Sequence, residues 1–207
     1  MRKLLLSMWL LVPVAGASYH FGPGQDQLLL DEAARCIAEA EEHATLAAGL
    51  SITGDEDGAR DEWALAEVAY ETALKNLPTD RVAERRRLRL EHAKCRMFVS
   101  ELPEANGELR TLVDELVADA DADPVVLREA RLAYANSQYY MTWLTRLEGA
   151  GREDWEPRIE SARQTLKLLA DQAQGDDLVR IQEDLEATVR LARMELDELQ
   201  GLPLPSQ

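Results

Sequence analysis

Apolar and small residues recur every three or four positions through most of this chain, and Gly, Pro or Asp interrupts the recurrence at intervals. The first such stripe starts at Leu29 and continues through Ala33, Cys36, Ile37, Ala40, Ala44, Ala47 and Ala48. A spacing of three and four places these side chains on one face of an α-helix. No window alternates β-branched residues in the manner of a strand. The pattern therefore predicts an all-α protein.

Residues that cap or break helices divide the chain into seven predicted helical segments. Pro78 ends the second because proline cannot continue the hydrogen-bond ladder, and Asp80 caps the third. Asp123 followed by Pro124 starts the fifth, with the aspartate as the cap and the proline in the first turn. The predicted helices are about 26–48, 59–77, 81–102, 103–117, 124–148, 154–174 and 178–200. The short connections between them favour antiparallel neighbours.

Residues 1–17 have the layout of a cleavable secretory signal, with a basic start, an apolar run from Leu4 to Val14 and small residues before the expected cut at Ala17–Ser18. A membrane anchor is the rival interpretation. Spanning about 30 Å of hydrocarbon takes ~20 apolar residues, however, and this run is shorter and is interrupted by Pro13. We therefore expect an exported protein, periplasmic or secreted, without a stable membrane anchor after cleavage.

The remaining residues are few enough for one domain. Residues 18–25 contain Gly and Pro without an apolar period, which predicts a flexible lead-in. The helical-repeat domain is expected to cover residues 26–200. The final stretch, 201–207, has prolines at two positions and is predicted to be a flexible tail.

The balance of charge limits the classes of partner. Lys and Arg number 23 against 39 Asp and Glu, which gives a formal net charge of −16. Nucleic-acid binding draws its affinity from Lys and Arg that neutralise phosphates, so a chain this acidic would repel the polyanion over most of its surface. The charge is better explained as keeping the protein soluble. We therefore expect no nucleic-acid partner.

The second predicted helix carries a spaced motif, Ala66-x-x-x-Tyr70-x-x-Ala73-Leu74-x-x-x-Pro78. It resembles the second half of a tetratricopeptide repeat, in which small residues let two helices approach closely and an aromatic fills the gap between hairpins. Related spacings are Ala105-x-x-x-Leu109-x-x-Leu112, after Glu104, and Ala162-x-x-x-Leu166-x-x-Leu169. The three starts are unevenly spaced, whereas the family recurs about every 34 residues. Its first-half signature of Trp, Leu-Gly and Tyr precedes none of them cleanly.

This resemblance implies a TPR-like α-solenoid of about seven antiparallel helices stacked as helical hairpins. Another helical bundle or α-solenoid is the alternative fold. It also implies an adaptor or scaffold that mediates protein–protein interaction, in exported bacterial proteins often in cell-envelope assembly, and it brings no catalytic residue. The alternative is a structural or oligomerising subunit of an envelope complex. A small-molecule-binding or enzymatic helical bundle is the third and least favoured hypothesis, because the sequence shows no set of catalytic groups.

Residues suited to metal or acid–base chemistry are scattered. The three histidines, His20, His43 and His92, form no metal-binding pair. Two acidic stretches, 54–58 and 119–123, lack the twelve-position spacing of a calcium loop and are expected to be solvated. Cys36 and Cys95 either form a disulfide or are small buried core residues. We predict no enzyme activity, metal or cofactor.

Two sets of residues are candidates for binding a protein or peptide partner. The third helix carries a row of arginines in an otherwise acidic chain, and Arg85, Arg89 and Arg96 share a face of it. Their guanidinium groups suit a carboxylate partner, or they pair with the protein's own acidic helices.

The second set lies on the fifth helix, where aromatic and amide side chains are concentrated. Tyr and Trp are common interface anchors because they bury a large area while keeping a polar group. Some of these residues are expected to be core, with Tyr139 and Trp143 on one face because they are four apart. The candidate partner-binding residues here are Tyr134, Asn136, Gln138 and Tyr140.

Overall fold

A computed structural model describes residues 23–195 and 198–199. Within these residues the chain forms seven α-helices and no strand, which confirms the predicted all-α class. The predicted signal peptide and tail, 1–17 and 201–207, lie outside the described residues. The helices are α1 (Pro23–Thr53), α2 (Glu56–Asn76), α3 (Val82–Arg96), α4 (Leu102–Ala118), α5 (Pro124–Leu147), α6 (Arg152–Ala170) and α7 (Gly175–Arg193).

Aspartate caps start two of the helices. Asp123 accepts a hydrogen bond from the backbone N–H of Val125 at 2.8 Å, with Pro124 in the first turn of α5, so the predicted start of this helix is confirmed. Asp55 accepts one from the N–H of Gly58 at 3.1 Å and caps α2. The predicted cap of α3 at Asp80 is wrong, because the helix starts one residue later and its N-cap residue makes no side-chain cap hydrogen bond.

Three helices differ most from their predicted ranges. α1 begins at Pro23 and passes through Gly49 to Thr53, where the sequence predicted a break, and it packs against α2. α3 ends at Arg96, several residues before the predicted position, and Ser100 in the following turn has a φ of 68°. α7 ends at Arg193, several residues before the predicted position near residue 200.

Each helix packs against the next one along the chain. In addition, α3 contacts α5 and α5 contacts α7. The buried apolar residues form four clusters that follow this order, from α1–α3 at one end to α5–α7 at the other. The described part of the chain therefore has a core distributed along the series of helices.

The even-numbered helices bury the same three positions of a shared spacing. The members of each trio are no more than 3% exposed, and they lie on α2, α4 and α6 respectively. The trios are Ala66, Tyr70 and Ala73; Ala105, Leu109 and Leu112; and Ala162, Leu166 and Leu169. Residues three or four apart share a helix face, so each of these helices turns an equivalent face into the core.

α5 is the most enclosed helix, because it contacts α3, α4, α6 and α7. Four consecutive residues, 137–140, are buried, which means that neighbours surround the middle of α5 on nearly all sides.

None of the helices in the described residues combines the length and apolar character that a membrane span requires.

Candidate functional site

Arg85, the first of the predicted partner-binding arginines, closes the end of α2. Its Nη1 donates hydrogen bonds to the backbone carbonyl oxygens of Leu74, at 2.8 Å, and Leu77, at 2.7 Å. The last carbonyls of a helix have no partner within the helix, and a cation there also complements the helix dipole. Arg85 therefore joins α3 to α2 in the folded chain.

Arg89 joins α3 to α4 through two carboxylates. Its guanidinium donates to Glu108 at 2.5 Å and to the two oxygens of Glu115 at 2.7 and 3.2 Å. Burial lowers the pKa of Arg89, but the hydrogen bonds to Glu115 and Glu108 outweigh this effect and the pKa is raised. The fork of the guanidinium suits two carboxylate contacts at once.

The neighbouring arginines of this segment divide into paired and unpaired residues. Arg96 donates to Glu101 at 2.6 Å, and Arg86 donates to Asp119 at 2.5 Å. Arg87 is exposed and makes no ion pair or side-chain hydrogen bond with any described residue. All three predicted residues, at 85, 89 and 96, are thus engaged within the chain. Partner binding through them stays a prediction.

Two of the four predicted residues on α5 are buried in this structure. Gln138 is 5% exposed and donates to the hydroxyl of Ser161 on α6 at 3.2 Å. Tyr140 is 8% exposed and meets Tyr139 edge to face, with ring centroids 5.7 Å apart. Tyr134 is half-buried, and burial raises its pKa. Partner binding by these three residues also stays a prediction.

Asn136, the fourth predicted residue of this set, has an unused amide. Its side chain is half-buried and makes no hydrogen bond with another described residue. The side chains on either side of it along the chain are buried. Asn is a poor residue for the middle of a helix, at a cost of roughly 0.5 kcal/mol relative to Ala. An amide group is able to donate and to accept, so it matches the hydrogen-bonding groups of a peptide backbone.

A stripe of accessible residues runs along α5 through Asn136. Its members, spaced by three, four or seven positions, are exposed or half-buried and share one face of the helix. We call this surface the α5 stripe. It consists of Val125, Arg128, Leu132, Asn136 and Trp143. Arg128 at one end forms an ion pair with Asp177 on α7 at 3.6 Å.

The two histidines in the described residues connect helices. His43 on α1 lies 2.6 Å from Glu62, and His92 on α3 lies 2.7 Å from Glu67. Both glutamates belong to α2, so this helix is linked to its two neighbours by the same kind of contact. The third histidine, His20, lies outside the described residues.

Two aspartates of the acidic stretch 119–123 accept structural hydrogen bonds. Asp119 accepts from Arg86 and from the backbone N–H of Asp121, and its pKa is lowered mainly by the hydrogen bond from Arg86. Asp123 caps α5. Among the residues that the structure describes, no group of three or more His, Cys, Asp or Glu side chains is arranged to hold a metal ion.

The two cysteines are free and buried in the cluster that joins α1, α2 and α3. Burial raises the pKa of Cys36, and it raises the pKa of Cys95 to about 12. A thiol with a raised pKa holds little of the reactive thiolate at neutral pH. Of the two alternatives that the sequence left open, the structure has the buried thiols.

Two features were missed by the sequence analysis. Arg146 at the end of α5 donates to the carbonyl oxygens of Leu191 and Met194, and its guanidinium lies 4.6 Å from the ring centroid of Trp155. A groove of about 610 Å³ runs along α7 and is lined by Leu185, Glu186, Val189, Arg190, Arg193, Met194 and Glu198. We call it the α7 groove. The sequence signal for it is the pair of apolar residues Leu185 and Val189, which are four apart and share a face of α7.

Comparisons of the chain with protein-family models, with curated proteins and with solved structures found no match. The contacts and exposed groups of the chain itself are therefore what bear on its function. On these grounds two surfaces stand out, the α5 stripe and the α7 groove.

Proposed function

We propose that the protein is an exported, non-catalytic, TPR-like adaptor that binds a segment of a partner protein along the α5 stripe, in the periplasm or outside the cell. The observation that carries this proposal is the repeated burial of equivalent positions on α2, α4 and α6. α2, α4 and α6 thus share a packing pattern, as expected when similar helical units are stacked in series. α5 buries the same spacing at Ala135, Tyr139 and Thr142. A role in cell-envelope assembly belongs to the same proposal.

The contacts between alternate helices support an inner face. α5 contacts α3 and α7 as well as its immediate neighbours, α4 and α6. When alternate helices of a stack approach one another, the stack curves towards them, and such curvature creates an extended concave surface. In this arrangement the odd-numbered helices α3, α5 and α7 line the concave side.

The directions of side chains on α5 indicate which side of this helix faces away from α4 and α6. Ser137 accepts a hydrogen bond from Asn106 on α4 at 2.8 Å, and Gln138 donates to α6. Successive residues are turned by about 100° around the helix axis. Asn136 therefore points away from both α4 and α6, into the space between α3 and α7. A partner segment in that space would meet the unused amide of Asn136 and the apolar side chains of Leu132 and Val125.

A peptide fits this surface better than a small substrate does. The stripe extends along the helix, although the buried Tyr139 interrupts it between Asn136 and Trp143. Small-molecule sites, by contrast, are concave pockets that enclose most of the ligand. A peptide backbone supplies N–H and C=O groups for the Asn136 amide. The alternative role, a structural or oligomerising subunit, draws on the α7 groove.

The proposal is tested with purified protein that begins at Ser18. Partners are captured from envelope extract, identified by mass spectrometry, purified and titrated against the wild type and three amide variants. Asn136→Ala is expected to weaken binding about tenfold, the equivalent of one hydrogen bond of ~1.4 kcal/mol.

Two amides serve as matched controls. Asn106→Ala removes an amide that is already hydrogen-bonded within the chain, so it should lower stability but leave the affinity of the folded protein unchanged. Gln164→Ala alters an exposed amide on α6 and should change neither. Equal affinities for all four proteins would refute binding along the α5 stripe.

A further inference from the structure

The α7 groove lies at the end of the series of helices. α7 packs against α6 and, less extensively, against α5. Its buried residues, Ile181, Asp184, Thr188 and Leu191, face these neighbours. Leu185 and Val189 are half-buried and line the groove together with Met194. An apolar groove at the end of a helical stack exposes the kind of surface that stacking otherwise buries.

Two of the charges beside this groove have no partners within the described chain. Glu186 and Arg193 both line the groove and are exposed. Neither forms an ion pair or a side-chain hydrogen bond with another described residue. They are seven residues apart, which is about two helical turns, so both lie on the same side of α7. By contrast, Arg180 on the same helix is paired with Asp177.

We propose that a second copy of this chain binds in the α7 groove, with the two α7 helices antiparallel. An antiparallel pair centred between Val189 and Arg190 places Glu186 of each copy opposite Arg193 of the other. The same register places Leu185 opposite Met194, so the apolar residues of the two grooves meet. Two-fold symmetry doubles each of these contacts, as in isologous dimers.

The charge pattern favours a second copy over an unrelated acidic or basic segment. A uniformly acidic partner would meet Glu186, and a uniformly basic one would meet Arg190 and Arg193. A second α7 helix carries both negative and positive charges, and in the antiparallel register they lie opposite the charges of Glu186 and Arg193. Arg190, near the centre of the pair, lies within about one turn of Glu186 of the second copy.

A single pair of helices makes a small interface. Stable protein interfaces bury about 800 Å² on each partner, and α7 has only 19 residues, part of which already face α6. We therefore expect a weak dimer with a dissociation constant of roughly micromolar order. This dimer does not depend on the proposed adaptor role, because it uses a different helix.

Sedimentation velocity over a range of concentrations tests the dimer through charge reversal. Glu186→Arg and Arg193→Glu should each weaken dimerisation about tenfold or more, because each one brings two like-charged pairs together. Mixing these two single variants restores both opposite-charge pairs and should give a heterodimer. The double variant E186R/R193E should form a homodimer again. Circular dichroism checks that each variant is folded.

Lys167→Glu on α6, which reverses an exposed charge without an ion pair among the described residues, is the matched control and should dimerise like the wild type. The proposal is overturned if the wild type stays monomeric at about 100 μM, roughly 100-fold above the expected dissociation constant. Single variants that dimerise like the wild type, or a mixture that stays monomeric, would also overturn it.

Discussion

Trp143 of α5 donates its indole Nε1–H to the backbone carbonyl oxygen of Leu199 at 3.2 Å. The side chain of Leu199 is fully buried, in a cluster that also contains Tyr139 and Leu191. Leu199, which follows α7, is therefore attached to α5, the most enclosed of the described helices. The attachment lies at the Trp143 end of the α5 stripe.

Replacing Leu199 by alanine should lower the free energy of unfolding by about 2–3 kcal/mol, the low end for a buried leucine because it lies outside the seven long helices. Urea denaturation followed by circular dichroism measures this change. Leu28→Ala, at a position that is 60% exposed on α1, is the matched control and should change it by less than about 0.5 kcal/mol. Equal effects of the two substitutions would contradict the attachment of Leu199 to the core.

Arg89→Ala should destabilise the fold by about 1–2 kcal/mol, because it removes charge-assisted hydrogen bonds and leaves Glu108 and Glu115 without their shared cation. Arg87→Ala, on the same helix, removes an exposed arginine without an ion pair in the described chain. It should change stability by less than about 0.5 kcal/mol. Thermal and urea unfolding of both variants provide the comparison, and a neutral Arg89→Ala would show that the α3–α4 link is unimportant.

Acid should weaken the contact between α3 and the α4–α5 connection. The pKa of Asp119 lies below its usual value near 3.8, mainly because Arg86 donates a hydrogen bond to it. A carboxyl whose pKa is lower in the folded state adds stability above its unfolded pKa, and this stability is lost as pH falls through the folded pKa. We expect an NMR titration midpoint for Asp119 below 3.8 that returns towards 3.8 in Arg86→Gln. A midpoint unaffected by the substitution would contradict the ion pair.

Both thiols should resist alkylation in the native protein at pH 8. Cys36 and Cys95 are buried, and burial raises the pKa of each, to about 12 for Cys95. Iodoacetamide labelling followed by mass spectrometry should give almost no adduct until denaturant is added, after which both residues should react. Rapid native labelling, or a denatured protein that reacts only after reduction, would contradict buried free thiols.

Export should remove residues 1–17. The basic start and short apolar run predict cleavage between Ala17 and Ser18. Expression in a bacterial host with a secretion pathway, followed by intact-mass measurement of the periplasmic fraction, checks this prediction. A protein that keeps Met1 and stays with the membrane would show that the segment acts as an anchor.

The sequence predicted local features well where one residue determines the backbone. Pro78 follows the end of α2, and Asp123 with Pro124 starts α5, because caps and prolines act within a single turn. The prediction that the first helix ends before Gly49 was wrong. A glycine inside a helix costs only about 1 kcal/mol, and the packing of α1 against α2 offsets that cost, so the helix continues to Thr53.

The spacing of residues in the sequence could not predict the contacts between helices. The face shared by Arg85, Arg89 and Arg96 was visible in the sequence, but their partners lie on three different segments. Helical periodicity gives the direction of a side chain relative to its own helix, and not which acidic residue stands opposite. For the same reason, the unused amide of Asn136 became distinct from the bonded amide of Gln138 only in the folded chain.

Site-specific photocrosslinking tests the central claim most directly. A photoreactive phenylalanine derivative replaces Asn136 on the α5 stripe in one protein and Gln164 on the exposed side of α6 in another, and both are irradiated in intact cells that export them. We predict a covalent adduct with a partner protein from position 136 and none from position 164. Adducts of equal yield from both positions, or an adduct from position 164 alone, would contradict binding on this face.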